Sequence, residues 1–203
     1  NEYDRDEDQS VRLFNSHLHA YAMHDLPRAN AVVQEIKEFL QEAKERIPDS
    51  TTIAFMTNVL LTAFLQEEFK TVLDWVREMQ DLPPTHHRED LVGLARKIRC
   101  IAEWELAERN EREYVAATVN AALNWYNNHG LKTPFVSTVL HAIKRMSQRP
   151  EDQYQKDLAK LARQLSEMKD LPATFGGPEV LVWVNSRRKG CSMVDLLPKG
   201  ADT

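Results

Sequence analysis

Apolar residues recur at intervals of three and four along nearly the whole chain, and prolines stand at the breaks in that rhythm. Such a pattern is buried economically only by a set of packed helices. One stripe reads Val32, Val33, Ile36, Phe39, Leu40, Ala43 and Ile47, and it stops before Pro48. Glycine numbers only 6, too few for the turns of a sheet-rich chain of 203 residues, and β-branched runs are scarce. The spacing predicts an all-α fold.

The first helix is expected from about Gln9 to His24, with Phe14, Leu18, Tyr21 and Ala22 on one face, after a flexible acidic lead-in over residues 1–8. Pro27 separates it from the stripe that ends at Ile47, because proline disfavours helical backbone in the residue before it. A third helix starts at Asp49 or Ser50 and carries Ile53, Met56, Val59, Leu60 and Phe64. A fourth carries Phe69, Val72, Val76 and Met79, and halts at Leu82-Pro83-Pro84. The fifth, Arg88 to Ala107, turns Leu91, Leu94, Ala95, Ile98, Ile101 and Ala102 inward. The sixth holds Val115, Val119, Ala122, Trp125 and Tyr126, with Gly130 as its C-cap. Pro134 and Pro150 open the seventh and eighth. A Phe175-Gly176-Gly177-Pro178 break precedes a last helix through Trp183 to about Lys189, and residues 191–203 are expected to form a frayed tail.

Short links make consecutive helices run antiparallel. Paired in order, they give hairpins over 9–47, 50–84, 87–130 and 134–170. A repeat of about 35 to 45 residues predicts antiparallel hairpins stacked as a short, right-handed, tetratricopeptide-like solenoid within one domain, 9–190.

Composition narrows the partners. The net charge is −5 with both signs interspersed, which lacks the footprint of a sequence-independent nucleic-acid binder. Cys100 and Cys191 stand far apart without a paired motif, which suits reduced thiols in the cytoplasm. No apolar run reaches the roughly 18 residues of a membrane span. The chain begins with Asn1 rather than Met, and it is expected to be a piece of something longer.

Segment 53–84 resembles a degenerate tetratricopeptide repeat, with Val72 at the small-residue position, Pro84 at the closing proline and Leu60 where glycine is usual. The run from Arg88 to Leu106 resembles a group of bacterial tetratricopeptide-like proteins with an R-x-D-L-x-x-x-A-R helix that ends in aromatic-Glu-Leu. Here the matching residues are Arg88, Asp90, Leu91, Ala95, Arg96, Trp104, Glu105 and Leu106. The late W-[LV]-x-S-[KR] pattern of that group is matched by Trp183, Val184, Ser186 and Arg187. The resemblance spans roughly residues 50–190 and implies a helical-repeat fold rather than a reaction.

No catalytic constellation stands out. His17 and His24 flank Tyr21 on one helix, and His86 and His87 share a loop, but neither pair belongs to a zinc motif. Cys100 and His141 have no nucleophile context, Gly176-Gly177 reads as a chain reversal, and Glu103 and Glu105 point in different directions. No metal, cofactor or enzymatic activity is expected.

Binding signals fall on the first helix of each pair, which lines the concave groove of a tetratricopeptide array. The candidates are Asn58, Arg96, Arg99, His141, Lys144 and Arg145, with Trp104 as an interface anchor if it is exposed rather than packed on a neighbouring hairpin. The expected function is a noncatalytic protein- or peptide-binding scaffold or regulatory module, with self-association through an N-terminal hairpin that carries excess apolar surface. The alternatives are a helical-repeat RNA binder, which needs a continuous basic groove, and a cryptic hydrolase, which needs a deep pocket with perturbed ionisable groups.

Overall fold

The computed structural model describes residues 2–43, 45–82, 88–108 and 110–198, and among these it has helices and links but no strand. The α-helices are α1 (Glu2–Ala22), α2 (Leu26–Ala43), α3 (Asp49–Leu65), α4 (Phe69–Gln80), α5 (Glu89–Leu106), α6 (Arg112–Asn128), α7 (Pro134–Ser147), α8 (Tyr154–Ser166) and α9 (Gly177–Lys189). Each of α1 to α8 packs on the helix that follows it, and α1, α3, α5 and α7 also touch in series. Pro83, Pro84, His86 and His87 lie outside the described residues, so the expected closing proline and histidine loop fall there too.

Local chemistry accounts for several boundaries. Thr133 caps α7 by accepting the Val136 N–H at 3.2 Å, and Pro134 takes the first helical position, where no N–H is needed. Asp49 and the Glu89-Asp90 pair place negative charge in the first turns of α3 and α5, facing the positive end of the helix dipole.

The middle of the fold is α3. Between Ser50 and Gln66 the chain carries no charged residue, and α3 touches α1, α2, α4, α5 and α9. The sequence stripe named five inward positions. The helix buries Phe55, Thr57, Leu61, Thr62, Ala63 and Leu65 as well, because neighbours surround it instead of covering one side.

Regular structure extends into both end segments as far as they are described. The lead-in is helical from Glu2, not from Gln9, and Asp6 is buried against Arg46, Nε to Oδ2 at 2.7 Å. At the other end Met193 is fully buried, and a 3-10 turn runs from Val194 to Leu196, so the expected frayed tail is docked through its first half. Among the described residues no helix is long and apolar enough to cross a membrane.

Candidate binding surface

The α1–α3–α5 face, where a groove was expected, carries the end of the chain itself. Glycine at 176 starts this return: its φ is +74°, and a Cβ there would lie 2.3 Å from Cδ1 of Leu94 on α5. The preceding carbonyl, Phe175 O, accepts a hydrogen bond from the buried Lys97 ammonium at 3.0 Å. From that point α9 buries Val180, Trp183 and Val184 completely.

Charged and aromatic contacts anchor the far end of α9. Trp183 Nε1 and Arg187 Nε both donate to Oε1 of Glu105, at 2.5 and 2.6 Å. A second nitrogen of Arg187 meets Oε1 of Glu67 at 2.8 Å, and the guanidinium lies 5.7 Å from the centre of the Phe69 ring. Glu67 stands in the middle of the α3–α4 link with φ +63°, a left-handed conformation that a side chain adopts at a cost of roughly 1 to 2 kcal/mol. Its carboxylate also accepts the Met193 N–H at 3.3 Å. These acids hold the Arg187 guanidinium above its ordinary pKa, against the opposing effect of burial.

The end of α5 and the Trp183–Arg187 segment of α9 therefore meet in space. Trp104 stacks edge-on against Trp183, with ring centres 5.9 Å apart, and the next residue, Glu105, takes the Trp183 and Arg187 donors. Ser186 donates to the Trp183 carbonyl at 2.7 Å. All these contacts are intramolecular.

The seven expected binding residues do not converge. Arg96 sits over the Trp125 ring of α6, its guanidinium carbon 5.0 Å from the ring centre, with its Nε buried and unpartnered. Arg99 pairs with Glu103 at 2.6 Å and reaches Gln80 at 3.4 Å, on the α4 side. Lys144 donates to Asn120 of α6 at 2.7 Å, and Arg145 pairs with the buried Asp157 of α8 at 3.3 Å. His141 is exposed, and its Nδ1 lies 2.6 Å from the Ser137 carbonyl one turn earlier. Trp104 is buried between Tyr154 and Trp183, so it packs on neighbouring helices and is not an exposed anchor. Asn58 lines a small cavity with His17 and Glu179, beside the start of α9.

An open cleft remains at the other end of the same face. It has a volume of about 680 Å3 and lies among the first half of α1, the α2–α3 link and the first turns of α3, with Arg88 at its edge. Val11, Phe14, Ala54 and Phe55 give it an apolar floor, and Phe14 meets Phe55 edge-on at 6.2 Å. Its rim carries two guanidinium groups. Arg46 is bonded to Asp6, whose carboxyl it holds below the usual range, and Arg88 is bonded to Asp90 at 3.1 Å.

Sequence reasoning missed this cleft because Arg46 and Asp6 stand 40 positions apart. The available signal was Val11, which extends the first stripe one turn toward the N-terminus and is 56% exposed in the structure. Among the described residues no group of three or more His, Cys, Asp or Glu side chains has the arrangement of a metal site. Compared with models of protein families, with characterised proteins and with solved structures, the chain matches none.

Proposed function

We propose that the chain is a noncatalytic interaction module, built of helical hairpins stacked in the manner of tetratricopeptide arrays, that holds a segment of a partner protein or peptide. The observation that carries this reading is the open cleft of about 680 Å3, which joins an apolar floor to an arginine rim. An apolar side chain of the partner fills the Phe14–Phe55 floor, and an adjacent carboxylate faces Arg46 and Arg88. The serial contacts of α1, α3, α5 and α7 support the hairpin stack, since hairpins stacked in register place their first helices side by side. The same face holds α9, so its shape suits a helical segment. Two free cysteines suit a reducing compartment such as the cytoplasm.

Selection from a random peptide library displayed on phage tests the reading. Enriched sequences should combine an apolar anchor with Asp or Glu, and Ala54→Arg, which fills the cleft from its floor, should raise Kd at least tenfold with helicity intact. A library that yields no binder, or binders indifferent to Ala54→Arg, would overturn it.

A further inference from the structure

The chain is acidic as a whole, with a net charge of −5, yet the charges that α8 presents to solvent are all positive. Leu158, Leu161, Ala162 and Leu165 form its buried face. On the opposite face, at positions i, i+4 and i+7, stand Lys156, Lys160 and Arg163, all exposed. From Gln153 to Ser166 the one carboxylate is that of Asp157, which is buried and paired with Arg145 and Arg149. The end of α9 adds to the charge. Gln155 donates to the Arg187 carbonyl at 3.2 Å, so the exposed Arg188 and Lys189 stand beside the first turn of α8. Among the described residues, Lys156, Lys160, Arg163, Arg188 and Lys189 form no ion pair.

The outer face of α2 has the opposite sign. This helix buries Val32, Ile36, Leu40 and Ala43 and turns Glu35, Glu38 and Glu42 toward solvent. Glu35 meets Arg12 at 3.2 Å in an exposed pair, and Glu38 accepts a hydrogen bond from Gln34 at 3.0 Å. Glu38 and Glu42 form no ion pair among the described residues. Lys37 lies off the acidic row, about 100° around the helix from Glu38.

The two rows match in spacing as well as in sign. The acids are three and then four positions apart, and the cations four and then three. Laid antiparallel, Glu35, Glu38 and Glu42 therefore stand opposite Arg163, Lys160 and Lys156, at about 0, 4.5 and 10.5 Å along both helix axes. We propose that the basic outer face of α8 docks on the acidic outer face of α2 in a second copy of this chain. Within one copy the two helices pack mainly on different neighbours, α2 on α1 and α3, and α8 on α7 and α9. Because the faces differ and each copy carries both, the contact repeats from copy to copy as an open row or a ring. Exposed ion pairs are individually weak and screened by salt, so the contact forms at high concentration and low ionic strength. None of the six paired residues lines the open cleft, and the inference does not depend on what the cleft holds.

Sedimentation velocity of the full chain tests it. At about 0.02 M salt the weight-average sedimentation coefficient should rise with concentration up to about 1 mM, and the rise should vanish at about 0.5 M, where charges are screened within a few Å. Association through exposed apolar side chains such as Met23 survives salt and is told apart in this way. Lys156→Glu with Lys160→Glu, and separately Glu38→Lys with Glu42→Lys, should each leave circular dichroism unchanged and weaken the salt-sensitive association by about tenfold or more. Mixing the two variants, or joining all four substitutions in one chain, should restore it, since opposite charges then face each other again. The absence of salt-sensitive association would overturn the proposal. So would reversal variants that associate like the parent chain, or a chain with all four substitutions that does not recover. A chain that stays monomeric but binds single-stranded RNA or phosphatidylserine vesicles through Lys156 and Lys160 would overturn it too, and would assign the α8 face to a polyanion.

Discussion

Arg187 donates from Nε to Oε1 of Glu105 at 2.6 Å across 82 positions of sequence, and this bond fixes the last helix to the fifth. Both side chains are mostly buried, at 22% and 13% exposure, so solvent screening is weak. Glu105→Leu removes the acceptor of both Trp183 and Arg187 and should cost about 1.5 to 3 kcal/mol, the range for hydrogen bonds to charged groups. Glu105→Gln keeps an acceptor and should cost less. Urea unfolding gives the order of the two, and hydrogen exchange should show faster opening over 180–193 in Glu105→Leu. Equal stability of both variants and the parent chain would mean that the bond contributes nothing.

Two glycines with nearly the same backbone angle should respond differently to alanine. Gly130 has φ +66° and open space where a Cβ would stand, so Gly130→Ala should cost only the left-handed penalty, roughly 1 kcal/mol. Gly176→Ala must also displace Leu94, whose Cδ1 would be 2.3 Å away, and should cost clearly more. Chemical denaturation of the two variants side by side measures the difference.

Burial lowers the pKa of His17 from 6.5 to about 4 and that of Lys97 from 10.5 to about 7. Between each pair of values the unfolded chain binds more protons than the folded one, so stability rises with pH from about 4 to 6.5, and again from about 7 to 10.5. The His17 contribution is fully lost below pH 4, a change of about 3 kcal/mol across its window. His17→Gln should remove the lower rise and Lys97→Met the upper one, as read from urea midpoints at a series of pH values. Variants whose profiles keep the slope of the parent chain would exclude these two groups as its source.

Trp104→Ala should act through the core. Its ring packs edge-on against both Tyr154 and Trp183, and truncation of a buried aromatic costs about 3 to 5 kcal/mol. Calorimetry should show a lowered Tm, whereas an interface anchor would leave Tm unchanged and lower only partner affinity.

Leu18 on α1 and Met23 in the turn that follows it are 42% and 51% exposed. Light scattering over a tenfold concentration range should show self-association that Met23→Glu suppresses. A monomer at every concentration would confine this surface to another role.

Helix existence and order were legible, because the 3.6-residue period survives in each segment and proline marks the seams. What the period does not encode is which helix becomes central. The uncharged stretch from Ser50 to Gln66 was the available clue that α3 would be enclosed, yet a one-face reading discounted Phe55 and Leu61. Arg96 illustrates the limit for sites. Its helix position was clear from sequence, but its place over Trp125 depends on the rotation of α6 about its own axis. His17, Asn58 and Glu179 were beyond reach for a related reason, since 41 and 121 positions separate the successive residues and only the return of α9 brings them together.

That return also bears on how the chain comes apart. In a row of hairpins that touch only their neighbours, the end units fray independently and melting is gradual. Here Met193 is bonded to Glu67 across 126 positions, so the last residues of the fold close a ring that includes its centre. Opening either end breaks contacts in the middle. The expected behaviour is one sharp, all-or-none transition seen alike by every probe, and a chain cut before α9 should lose the cooperativity of the whole rather than a single unit.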